Sequence, residues 1–334
     1  MRRAYGGFSV SKILLMAESG SDITPELAAQ FGISIVPMHV TFGGETRDDG
    51  AFPVNEMFDH YKATHEPPRT SGCTPHDFEV AFERVLGENP GAQILYLAYS
   101  ACTTCSMQSA VMTADGRDDI RIIDTKSVSA GQMAVVLRVA KALREHPEMT
   151  MDEAAVVAEE AIAKVRMGFI PGDLDYLRAG GRVSNAAYLG AKILGLHPLI
   201  EVQDGKLIST RKYRGSMARV IAQMAREYPE ANALRKDEVY LIYGEGLAQS
   251  VRQEVEGILR EKGYAVRGWV RTGCVIAAHS GPGSFGIVGC AEYADWTRKI
   301  RASHSVTLRG ALFLLESDEI RWRESPCPRS PWSG

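Results

Sequence analysis

A glycine pair followed by arginine, in Leu174-Asp175-Tyr176-Leu177-Arg178-Ala179-Gly180-Gly181-Arg182-Val183-Ser184, is the segment best suited to meet an anion. Glycine tolerates positive φ and lets a ligand approach the backbone. Gly180 and Gly181 can therefore turn the chain sharply at a helix end while Arg182 presents its planar fork of donors. The same pair also reads as an ordinary helix C-cap with the arginine in solvent. A carboxylate has about four acceptor directions, so a closed pocket must supply several donors or burial costs more than it returns. Hydroxyls supply them. Thr70 and Ser71 in one loop, Thr104 and Ser106 in another, and Arg182 and His279 from the second half would together ring one headgroup. Taken singly, each hydroxyl is better explained as a helix cap and His279 as a structural histidine.

Several loop-like segments accompany that set in a fixed order. They are Glu18-Ser19-Gly20-Ser21-Asp22 after an apolar run, Thr70-Ser71-Gly72-Cys73-Thr74, and Ser100-Ala101-Cys102-Thr103-Thr104-Cys105-Ser106. Asp124-Thr125-Lys126-Ser127-Val128-Ser129, Asp204-Gly205-Lys206 and His279-Ser280-Gly281-Pro282-Gly283 follow. This order and spacing resembles the DegV family of bacterial fatty-acid-binding proteins from about Ile13 to the strand near Cys290. The Gly-Gly-Arg and His-x-Gly-Pro-Gly parts are the specific ones. The resemblance implies that a Thr/Ser loop, a Ser-Gly-Thr loop and the late histidine surround a lipid carboxylate, with the arginine close by. Those roles carry onto Thr70, Thr104 or Ser106, His279 and Arg182. It further implies a cytoplasmic carrier subunit, not an enzyme, which presents a long-chain fatty acid to a fatty acid kinase for acyl-phosphate formation and phospholipid metabolism. No cofactor or metal is expected beyond the bound fatty acid. Two positions depart from the pattern: Cys73 stands where the family favours proline, and Thr104-Cys105-Ser106 stands where it commonly has Ser-Gly-Thr.

Elements that could position these loops alternate in type. Strands are expected over residues 12–17, 34–41, 93–98 and 120–123, with helices over 24–31, 55–64, 75–86, 104–112 and 130–144. This is the α/β signature, with ligand loops at the carboxyl edge of a mainly parallel sheet. A Thr150-x-x-Glu153 capping box opens a helix over 151–166. A strand over 167–171, an Asp204-Gly205 hairpin, helices over 216–227 and 248–262, and strands over 238–243 and 264–270 follow. The expected architecture is two α/β domains with a ligand crevice between them: an extension over 1–11, domains over 12–147 and 148–292, and a divergent tail over 293–334. Leu189, Ile193, Leu194, Leu196, Ile276 and Met107 are candidate walls for an acyl tunnel, although at helical spacing they also read as plain core.

Composition narrows the alternatives. With 334 residues, 45% hydrophobic and 24% charged, the chain can bury more than one core. A net charge of −3 gives no concentrated cationic face for nucleic acid or an anionic membrane. The start shows no secretory signal, and no apolar run is long enough for an integral membrane segment. Six cysteines are too sparse for a disulfide scaffold, though Cys102-Thr103-Thr104-Cys105 leaves a redox reading open. Gly281-Pro282-Gly283-Ser284-Phe285-Gly286 formally matches a dinucleotide fingerprint after a strand, but its proline lacks a cradling N–H. No G-x-S-x-G elbow is present. The competing function is an enzyme acting on a small phosphorylated or carboxylated metabolite in the same crevice. Arg211, Lys212 and Arg214 read as a solvated charge run or as part of a kinase-docking face.

Overall fold

A computed structural model describes residues 11–181 and 195–292. Arg182, Leu189, Ile193, Leu194, nearly all of the expected extension and the whole expected tail lie outside the described residues. The first half comprises β1 (Ile13–Glu18), a one-turn helix (Ser19–Ser21), α1 (Pro25–Phe31), β2 (Ile33–Val36), β3 (His39–Phe42) and β4 (Glu45–Asp48). There follow α2 (Val54–Thr64), β5 (Arg69–Ser71), α3 (Pro75–Glu88), β6 (Gln93–Ala98), α4 (Ser106–Thr113), β7 (Ile120–Asp124) and α5 (Ser129–Glu145). The second half comprises α6 (Met151–Lys164), β8 (Val165–Ile170), α7 (Leu174–Ala179), β9 (Leu196–Gln203), β10 (Lys206–Arg214), α8 (Met217–Ala231) and β11 (Leu234–Tyr243). It closes with α9 (Gln249–Glu261), β12 (Val266–Arg271), α10 (Cys274–Ser280) and β13 (Phe285–Ala291).

The first sheet is parallel, in the order β2-β1-β6-β7. Its central strands are buried on both faces, which is why Ile94-Leu95-Tyr96-Leu97-Ala98 is a continuous apolar run. Successive strands leave β1 in opposite directions, so a switch point opens between the carboxyl ends of β1 and β6. The second sheet is mixed, in the order β10-β9-β8-β13-β11-β12, with β13 antiparallel to both its neighbours. Its helices bury one stripe each: Val220, Ile221, Met224, Ala225 and Tyr228 of α8 recur at helical spacing against the sheet core. Among the described residues, no helix is long and apolar enough to cross a membrane.

Three expectations need correction. The expected strand over 34–41 is two strands in two sheets: β2 joins the parallel sheet, whereas β3 pairs antiparallel with β4 and β5. Pro37 lies at the break, where a residue without an N–H cannot extend a ladder. The helix expected over 151–166 ends at Lys164, and the β-branched Val165 already begins β8. The Gly281–Gly286 match follows α10 and leads into β13, not the reverse. The segment therefore does not lead from a strand into a helix as the fingerprint requires, and the dinucleotide reading fails on that order. By contrast, the Thr150–Glu153 capping box forms, and Asp204 (φ 46°) and Gly205 (φ 79°) make the tight β9–β10 hairpin.

Candidate ligand-binding site

Four polar segments leave the first half on one side: Glu18 to Asp22 from the end of β1, Thr70 to Cys73 from the end of β5, Tyr99 to Thr104 after β6, and Thr125 to Ser129 after β7. The last three of these, with β8, β11, α10 and β13, line a largely apolar cavity, part of it open to solvent. Met38, Met167, Phe169, Leu177, Val275 and Phe285 are among its walls. Of the expected wall residues, Ile276 lines the cavity, whereas Met107 packs against the first core. The walls that sequence reasoning missed include Met167 and Phe169 of β8, Ile242 of β11 and Phe285 of β13, on interior strands of the larger sheet, where buried faces look alike in sequence.

Thr70, Ser71, Thr104 and His279 all line this cavity. His279 stands on the last turn of α10, and its Nε2 lies 2.8 Å from Thr70 Oγ1. Where Nε2 carries the proton it donates to Thr70, leaving the threonine hydroxyl hydrogen for a ligand. The imidazole also packs against backbone: a Cβ on Gly180 would fall 2.0 Å from His279 Nδ1. The Gly-Gly turn thus makes room for the histidine, with Gly181 in the left-handed region at φ 70°. Ser106 sits one layer deeper. It is fully buried, and its Oγ accepts from Cys73 N at 3.0 Å and lies 3.1 Å from Thr104 Oγ1. A Cβ on Gly72 would lie 2.4 Å from Thr104 Oγ1 and 2.5 Å from Ser106 Oγ, so the two hydroxyl loops meet only because residue 72 is glycine. Cys102 and Cys105 are exposed free thiols. Burial pushes the Cys73 thiol well above the usual range.

The acidic layer beneath the cavity was not anticipated. Glu18 is fully buried and accepts from Tyr99 N at 3.1 and 3.0 Å, from Gln132 Nε2 at 2.7 Å and from the Tyr96 hydroxyl. It fastens β1 to β6 and α5, and burial raises its pKa. Asp22 accepts from Gly273 N at 2.7 Å and from the Ser129 hydroxyl. Burial drives its carboxyl up to about 8, with the nearby Asp49 adding in the same direction. Asp49 Oδ1 in turn accepts from Cys274 N at 2.8 Å and Val275 N at 3.3 Å. Two carboxyls therefore seat the start of the helix that carries His279. Asp22 (φ 56°) and Ser129 (φ 49°) are both left-handed non-glycine residues, a costly conformation held by their mutual hydrogen bond. The signal available in sequence was the pair of polar loops that follow β1 and β7. Among the described residues, no group of three or more His, Cys, Asp or Glu side chains gathers to hold a metal ion.

Known proteins share this fold. A "DegV domain-containing protein" of Deinococcus radiodurans is 26% identical over 282 residues, covering 82% of this chain and 97% of its own length. A solved structure of a DegV family protein from Thermus thermophilus, described by its fatty acid binding, superposes with a TM-score of 0.75 at 23% identity, covering 84% of this chain and all of that one. A stearic acid-binding protein from Eubacterium ventriosum gives 0.71 at 23% identity, covering 84% of this chain and 98% of its own. At such identities the structures speak for a shared fold. The profile of the family described as "Uncharacterised protein, DegV family" matches residues 12–292, every described strand and helix, and on that match the chain belongs to the DegV family.

Proposed function

We propose that this protein binds one long-chain fatty acid, with its carboxylate at the Thr70–His279 end of the cavity and its acyl chain along the apolar walls. The observation that carries the reading is the cavity itself: Thr70 paired with His279 and the Thr104 loop close by, with methionine, leucine, isoleucine and phenylalanine among the other walls. Each methylene withdrawn from water contributes about 0.8 kcal/mol, so a long chain can be retained without any covalent bond. Thr70, Ser71 and Thr104 would donate to the carboxylate directly, Ser106 would hold Thr104 in place from below, and Arg182 would supply positive charge. The names of relatives support the ligand class, since several solved members of the fold are described as fatty-acid-binding. We further propose that the bound acid is presented to a separate fatty acid kinase in the cytoplasm, where a carboxylate oxygen bonds to the terminal phosphorus of a nucleoside triphosphate as its phosphoanhydride bond breaks, giving an acyl phosphate and the nucleoside diphosphate. A carrier of this kind needs no nucleophile of its own.

Native mass spectrometry of the purified protein, followed by organic extraction, tests the reading. A co-purifying or readily loaded long-chain fatty acid in one-to-one ratio is the expected result. A protein that stays empty against a panel of fatty acids, yet turns over a small carboxylated or phosphorylated metabolite alone, would replace the carrier with an enzyme. Gly180→Ala adds a sharper expectation. Residue 180 has ordinary helical torsions (φ −69°, ψ −12°), so alanine strains no backbone there, but its methyl must displace the His279 ring. Fatty acid retention should fall about as far as in His279→Ala, while stability changes by no more than about 1 kcal/mol. Undiminished retention in both variants would remove His279 from the headgroup site.

A further inference from the structure

Nearly every hydroxyl around the cavity is already engaged. Thr70 pairs with His279, Thr104 with Ser106, Ser129 with Asp22, Ser284 with Ser280 at 3.1 Å, and Thr103 donates to Ser100 O at 2.9 Å. Ser71 is exposed and can be served by water. Thr272 differs: it lines the cavity, is 3% exposed, and its Oγ1 has no hydrogen-bond partner among the described residues. A buried hydroxyl left unpaired is disfavoured, and a ligand group that pairs with it recovers that loss. The helix-start N–H groups beside it offer nothing further, since Asp22 and Asp49 already accept from residues 273–275.

Position and charge restrict what the partner can be. Thr272 precedes α10, whereas His279 is seven residues on at its far end, roughly 10 Å away along the helix. A headgroup at His279 therefore leaves Thr272 beside the chain, close to Val275 and Ile276, which also line the cavity. A Cβ on Gly273 would lie 3.3 Å from Asp22 Oδ1 and 3.2 Å from Asp49 Oδ1, so Thr272 sits beside two buried carboxyls that desolvation already holds toward the neutral form, and the same burial disfavours a further charged group there. On the fatty-acid reading above, we infer that Thr272 is a specificity contact for acyl chains carrying a neutral oxygen part-way along, a hydroxyl or a ketone. The carboxylate and this oxygen would be held at opposite ends of one short helix. Such a chain would outcompete the plain saturated acid of equal length only where its oxygen falls opposite Thr272.

The test is displacement of a fluorescent fatty acid by stearic acid and by a positional series of hydroxystearic acids. The expected result is one isomer bound about tenfold more tightly than the isomers on either side of it. Thr272→Val, which keeps the shape and removes the hydroxyl, should level the series, and Thr272→Ser should keep the preference. Thr272→Ala gives the same reading as valine should the valine variant not fold. A series that is flat in the wild type, or a preference that survives in Thr272→Val, overturns the inference while leaving fatty acid binding intact. Failure of the wild type to bind stearic acid or any isomer sinks the fatty-acid reading along with it.

Discussion

Gly172→Ala should be the most damaging single methyl that can be added near the site. An ideal Cβ at residue 172 would fall 1.8 Å from Pro282 O, 2.6 Å from Pro282 C and 2.7 Å from Ser284 N. All three are main-chain atoms, so no rotamer change can make room. The segments cannot simply part either, because Gly172 N donates to Ser280 O at 2.8 Å and so ties the β8–α7 link to the end of α10. We expect a loss of about 3 kcal/mol or more, a fall in melting temperature of about 6 °C or more, and weakened ligand retention as the residues around His279 shift. Thermal unfolding of the purified variant measures it. A melting temperature equal to the wild type would show that this backbone crossing is looser than described.

The second large effect is a dependence of stability on pH that runs through Asp22. Its carboxyl ordinarily titrates near 3.8 but is driven up to about 8 by complete burial. Over that window the folded protein keeps a proton that the unfolded chain has released, so the folded state binds more protons and stability falls as pH rises. The slope from this one group is about 1.4 kcal/mol per pH unit, levelling off above pH 8, and across the whole window it is on the order of 5 kcal/mol. Asp22→Asn should lack that component. Its amide keeps an oxygen for Gly273 N and a neutral polar partner for Ser129. Chemical denaturation at pH 5 and at pH 8.5 should find the variant close to the wild type at the lower pH and several kcal/mol more stable at the higher. Glu18 and Asp49 are raised in the same direction, so both proteins retain some slope and the difference between them is the informative quantity. Parallel curves would mean that Asp22 is ionised in the folded state.

How far the sequence could carry this depends on the kind of signal. Loops that converge on the cavity were legible, because glycine at a tight turn and clustered Ser and Thr at strand ends have local causes. The parallel sheet was legible for the same reason, in the doubly buried apolar runs of β1 and β6. β4 was not, being four residues of mixed exposure, Glu45–Asp48, closed by the Gly43–Gly44 turn. α10 was not, because Val275, Ile276, Ala277 and Ala278 carry no periodicity over seven residues that would separate helix from strand. Burial of Asp22 and Asp49 depends on partners about 250 and 225 residues away, beyond any local pattern. The unpaired state of Thr272 is of the same kind, visible only once every neighbour is in place. Arg182, the residue from which the sequence argument began, lies outside the described residues, and its part in the site stays a proposal.

The placing of β13 between β8 and β11 sets an order on how the protein can be made. The strand at the centre of the larger sheet is the last described segment, and Thr70 waits for a partner 209 residues later. At ordinary synthesis rates that gap is about 10 to 40 seconds, and for the last part of it, once β8 and then β11 have been made, both present unpaired edges. The nascent chain can complete its first sheet well before the second sheet or the cavity can close. A message cut short before Phe285 would therefore yield a sticky, half-zipped product in place of a weaker binder. Quality control acting on that product would see two exposed strand edges flanking a missing centre.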